Sequence, residues 1–109
     1  GVPEARGVEH SPVGVLFLSF QRKSGESSNR TLRYKAKFNG YPYYTNNVDT
    51  HLFFTVLSAF GAQEALWVIS RRPPGKKGDG KEPEGIRAKC KSDNKAVPSE
   101  GWEYVEGKF

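Results

Sequence analysis

Apolar and polar residues alternate along some stretches of this chain and run together in others. "TLRYKAKF", residues 31–38, sends Leu32, Tyr34, Ala36 and Phe38 one way and Thr31, Arg33, Lys35 and Lys37 the other. A period of two marks a strand with one buried and one solvated face. "IRAKCK", residues 86–91, repeats the pattern, with Ile86, Ala88 and Cys90 opposed to Arg87, Lys89 and Lys91. "VGVLFLSF" (13–20), "HLFFTVL" (51–57) and "ALWVIS" (65–70) are continuous apolar runs of strand length and strand composition. "WEYV" near the end adds a short last strand, and "SAFGAQE" reads as a connection with a short helical turn. No segment carries a convincing helical period. The pattern predicts an all-β fold: a single small antiparallel barrel or sandwich of about seven strands with long polar loops.

The sharpest local signal is Asn39-Gly40, between two alternating stretches. This dipeptide supplies the two positive φ values of a type I′ turn and so predicts a two-residue hairpin. The turn then sets the register: Phe38 opposite Tyr41, Lys37 opposite Pro42, Ala36 opposite Tyr43, Lys35 opposite Tyr44. Pro42 has no N–H to give to a second neighbour, so either residues 41–45 form an edge strand or the next strand leaves a gap there. Tyr34, Phe38, Tyr41 and Tyr43 fall on one face, expected to be the core face. Tyr44 falls with Arg33, Lys35 and Lys37 on the other. The expected core is Leu16, Leu18, Leu32, Tyr34, Phe38, Phe54, Val56, Trp67 and Ile69. Residues 1–12 carry Pro, Gly and charge without period and read as a flexible arm, leaving residues 13–109 as one β domain.

Composition sharpens this picture in three ways. With 109 residues and one cysteine, Cys90, there is one domain and no internal disulfide, so packing alone must hold the fold. The lone cysteine favours a reducing compartment; "NRT" at residues 29–31, in a polar stretch read as loop, is nevertheless an N-glycosylation triplet centred on Asn29. A chain starting at Gly1 without methionine is expected to be a processed product or an excised domain. No apolar run reaches the length that crosses a membrane as a helix.

The formal charge is +5, and a loop at 71–85 concentrates Arg71, Arg72, Lys76, Lys77 and Lys81. Such a loop either contacts a polyanion or is simply solvated and disordered. The stripe Arg33, Lys35, Lys37 with Tyr44 resembles the cation-and-ring surfaces that hold single strands of nucleic acid. Read blandly, its lysines guard a sheet against edge pairing. Trp67 belongs to the core. Trp102 either closes the barrel or, with Tyr44, offers a platform for a sugar ring.

Chemistry is thin. His10, His51 and Cys90 make no metal-ligand spacing, and a thiol site from Cys90, His51 and Asp49 has no local support. There is no nucleophile elbow and no phosphate-cradling glycine loop. The expectation is a non-catalytic binding or assembly module without cofactor, a protein-interaction or scaffold subunit. The alternatives are a sequence-indifferent binder of single-stranded nucleic acid and a carbohydrate-binding module. The residues expected to meet the partner are Arg33, Lys35, Lys37, Tyr44, Arg71, Arg72, Lys76, Lys77 and Trp102.

The order "NGYPYY … HLFF … LWVIS … VPSEGWEYVEGKF" resembles a small aromatic-rich β unit that recurs in multidomain proteins of marine protists and invertebrates. The matching positions are Asn39, Gly40, Pro42, Tyr44, Phe53, Phe54, Trp67, Ile69, Pro98, Gly101 and Trp102, within residues 13–109. The resemblance implies a non-enzymatic module. Residues 71–85 depart from a compact unit and would be this chain's own addition.

Overall fold

The computed structural model describes residues 5–10, 14–21, 27–59, 61–75 and 85–104. They form eight strands: β1 (Ala5–His10), β2 (Val15–Gln21), β3 (Ser27–Phe38), β4 (Tyr41–Thr45), β5 (His51–Ala59), β6 (Ala62–Ser70), β7 (Ile86–Lys91) and β8 (Glu103–Tyr104). All belong to one antiparallel sheet whose strand order is the chain order, curled into a half-barrel. The all-β expectation therefore holds. Three local readings need correction. The N-terminal arm is not loose over residues 5–10, which pair with β2 as β1; backbone hydrogen bonding needs no apolar alternation, so the composition hid this strand. Residues 27–30 belong to β3 rather than to a loop. The β5–β6 connection is a hairpin rather than a helical turn: pairing runs unbroken from His51 opposite Ser70 to Ala59 opposite Ala62.

Asn39 and Gly40 take φ of 58° and 77°, as a type I′ turn requires. Phe38 pairs Tyr41, Lys37 pairs Pro42 and Ala36 pairs Tyr43, in the register set by that turn. The gap foreseen beside Pro42 is also present. β4 joins β5 only at Tyr44 opposite Leu52 and Thr45 opposite His51. Continued, that register sets Phe54 opposite Pro42. The Phe54 carbonyl instead accepts the side-chain amide of Asn39 at 3.3 Å. One asparagine thus makes the turn and supplies the hydrogen bond that proline cannot.

The main core lies inside the curl. It joins Leu16 and Leu18 of β2, Leu32 of β3, Leu52 and Phe54 of β5, Trp67 and Ile69 of β6, and Ala88 and Cys90 of β7. Residues 92–102 strap across it. Tyr41 Oη donates to the Asp93 carbonyl at 2.9 Å, Trp67 Nε1 to the Asn94 carbonyl at 3.1 Å, and the strap's own Val97 and Trp102 are buried in the core. The Tyr41 ring stacks on Phe54 at 3.7 Å between centroids and carries the Lys95 ammonium 4.0 Å above it. A second cluster, Tyr43, Phe53, Leu66, Val68 and Ile86, with Phe38 and Leu57 against it, lies on the opposite face. Of the expected core, Phe38 and Val56 are only half-buried and Tyr34 is exposed.

Candidate functional site

One extra residue decides which side chains share a face with Tyr34. Tyr34 pairs Tyr44 and Ala36 pairs Tyr43, so Lys35 is a β-bulge with no partner of its own across the ladder. The bulge overturns the expected pairing of Lys35 with Tyr44 and reverses the faces on its two sides. Arg33 stands opposite Thr45, and Tyr34, one position on, opposite Tyr44. Arg33 and Tyr44 therefore point to opposite faces, and the expected one-sided stripe of Arg33, Lys35, Lys37 and Tyr44 does not form. Tyr34 and Tyr44 meet edge to face instead, 5.9 Å between centroids at 78°. Tyr44 is half-buried against the core, whereas 47% of Tyr34 remains exposed. Burial, and then the neighbouring Tyr34, push the Tyr44 phenol up, so it is a neutral hydroxyl at physiological pH.

Arg33, Tyr34, Lys35, Ala36 and Lys37 are all exposed, on both faces of an interior strand. The ladder explains this. β2 pairs β3 only as far as Arg33 opposite Val15, and β4 begins its pairing at that same Arg33. Beyond it, one further bond from β2's side reaches β3, from Tyr34 N–H to the Gly14 carbonyl at 2.9 Å. Gly14 takes φ of 71°, a left-handed conformation that a side chain would strain, and it lies against the Tyr34 Cβ. Past Tyr34, β3 and β4 continue as a two-stranded ribbon with an open edge among the described residues.

A second charged region surrounds the β4–β5 loop. The Asn46 carboxamide oxygen accepts the N–H groups of Val48, Asp49 and Thr50 at 2.9, 3.1 and 3.0 Å. Asp49 accepts from Asn46 Nδ2 and Thr50 Oγ1, and these bonds, with Arg30 and Arg87 nearby, hold its carboxyl below the usual range. Arg30 Nε and an Arg87 terminal nitrogen lie 3.7 and 4.0 Å from it. Tyr43 Oη lies 2.8 Å and Thr45 Oγ1 3.0 Å from His51 Nδ1. Thr45 gives its proton to the Thr50 carbonyl, so toward His51 its oxygen is an acceptor, which fits an Nδ1–H donor lying between Thr45 Oγ1 and Tyr43 Oη. Burial, then the Lys35 ammonium, lower the His51 pKa, with Asp49 opposing.

The other expected site residues fare unequally. Arg71 and Arg72 are exposed at the end of β6, where Arg71 N–H donates to the Gly85 carbonyl at 2.9 Å and ties the base of the basic loop. Lys76 and Lys77 lie outside the described residues. Trp102 is 6% exposed and its Nε1 donates to the Pro98 carbonyl at 2.9 Å, so it closes the core and offers no platform. The sequence reading missed Arg30 and the Asn46–His51 network, although "NNVDT" carried the asparagine that organises the loop. Cys90 is buried, its Sγ against the Glu100 carbonyl, and burial pushes its thiol up. Among the described residues no three His, Cys, Asp or Glu side chains cluster as metal ligands, and no helix is long and apolar enough to cross a membrane. Compared with known proteins, the chain matches no family model, no curated sequence and no solved structure.

Proposed function

We propose that this chain is a non-catalytic binding or assembly module that takes an extended, negatively charged partner along the middle of β3. The observation that carries the reading is the exposure of residues 33–37 on both faces of an interior strand. An interior strand ordinarily hides at least one face; this one presents three cations and a ring. The open edge beyond Tyr34 suits an acidic protein segment that adds as a strand. The exposed Tyr34 ring favours a second reading, single-stranded nucleic acid. Burial of Trp102 removes half of the proposed sugar platform, so the glycan reading falls behind both.

The test is a pair of titrations at about 50 and about 200 mM salt, one with poly-L-glutamate and one with a mixed-sequence single-stranded oligonucleotide. Binding to either that weakens with salt, and is lost in an Arg33→Glu/Lys37→Glu double variant that keeps its melting profile, supports the module. Binding to neither at low salt leaves the cations as guards of an open sheet edge.

A further inference from the structure

Resting on the reading of β3 as the contact surface, we infer that its partner is single-stranded nucleic acid running along the open ribbon edge, held by a base stacked on Tyr34 and by phosphates on Lys37, on the ring's own face, and on Lys35 and Arg33 reached around that edge. Four features meet here. The Lys35 bulge brings Tyr44 onto the face of Tyr34 and sets the two rings edge to face; bulges commonly re-aim a side chain in this way. Tyr44, packed on the core, braces the Tyr34 ring from its side, so the ring is positioned before a ligand arrives. The three cations flank the ring in sequence, and no carboxylate lies among residues 31–38. Gly14 lies against the Tyr34 Cβ and accepts the Tyr34 N–H, which fixes the backbone beneath the ring.

These features fit nucleic acid better than an acidic peptide. A peptide strand would use the edge and the cations but gives Tyr34 no task. A base has a π-face whatever its identity, so stacking on one ring gives affinity without sequence preference. Three phosphate contacts on a single strand give a log–log salt slope near −2, or about a 20-fold loss between 50 and 200 mM.

The experiment is fluorescence anisotropy with a labelled dT20, an abasic oligomer of equal length and charge, and labelled poly-L-glutamate, each against wild type, Tyr34→Ala and Tyr34→Phe. Tyr34 is half exposed, so both variants are expected to stay folded under the assay conditions. The expected result is salt-sensitive dT20 binding that weakens about tenfold or more in Tyr34→Ala, in line with the loss of one base–aromatic stack. Tyr34→Phe should bind as wild type, and the abasic oligomer should bind weakly and ignore both substitutions. Equal binding of dT20 and the abasic oligomer, or no response to Tyr34→Ala, overturns the stacking site and leaves β3 as a plain cationic surface. Binding of poly-L-glutamate without dT20 overturns nucleic acid as partner while the module reading survives. Binding of none of the three overturns both.

Discussion

β3 and β6 are both interior strands of the same sheet, yet they share almost nothing in environment. β6 pairs β5 along its whole length and β7 over residues 66–70, and those same five residues are buried on both faces. β3 is longer, but its first half pairs β2 and its second half pairs β4, with Arg33 alone joined to both. Position in the strand order therefore does not decide burial. What decides it is whether the same residue has ladder partners on both sides and side chains packed above and below.

The largest test of this contrast is Trp67→Ala in β6. The indole is fully buried and its N–H is bonded, so the variant should lose about 3–5 kcal/mol, read as a lowered urea midpoint. Next is Asn46→Ala. Three backbone N–H groups lose their acceptor in a half-buried loop. About 2 kcal/mol is expected, at roughly 1 kcal/mol for each bond less what water recovers, with amide exchange rising first at residues 48–50.

Acid provides a third test, between the two strands in size. The His51 pKa is lowered from its ordinary 6.5 in the folded chain, so the unfolded chain takes up the proton first as pH falls. Its stabilisation is complete above about pH 6.5 and fades as pH drops through the lower folded value. Asp49, likewise lowered from 3.8, adds a second loss in still stronger acid. A urea midpoint that falls between pH 7 and 5 in wild type, and stays flat in His51→Gln, is the expected outcome.

The smallest effect belongs to Tyr34→Ala, which gives up one edge-to-face contact at an exposed site. A loss of about 1 kcal/mol or less is expected. A loss near that of Trp67→Ala would erase the contrast and make Tyr34 a structural residue after all.

Much of this was readable from residues. Asn39-Gly40 announced its turn, Pro42 announced a gap, and "ALWVIS" announced a strand buried on both sides. The bulges were not readable. Lys35 in β3 and Arg87 in β7 each add one residue to a stretch that still alternates perfectly on paper. Past the extra residue, the pattern counts on while the faces have exchanged. This is why Ile86 parts from Ala88 and Cys90 and packs in the second cluster. It is also why Tyr44, which the alternation had set with Arg33, Lys35 and Lys37, shares the face of Tyr34 and packs on the core. β1 escaped notice for another reason: "ARGVEH" pairs through its backbone and carries no apolar rhythm.

The chain-order topology has a consequence for how the molecule is made. Every strand pairs only with its neighbours in sequence, so each hairpin can assemble as soon as its second strand leaves the ribosome, and loop closures stay short. The exception is the strap at residues 92–102, which returns to Gly40 and Tyr41 across more than 50 positions. Until it is synthesised, the rings of Tyr41, Phe54 and Trp67 face an open mouth. The nascent chain thus carries a nearly finished sheet with an uncovered aromatic floor, and its window of greatest susceptibility to aggregation falls between the emergence of β6 and that of residues 92–102.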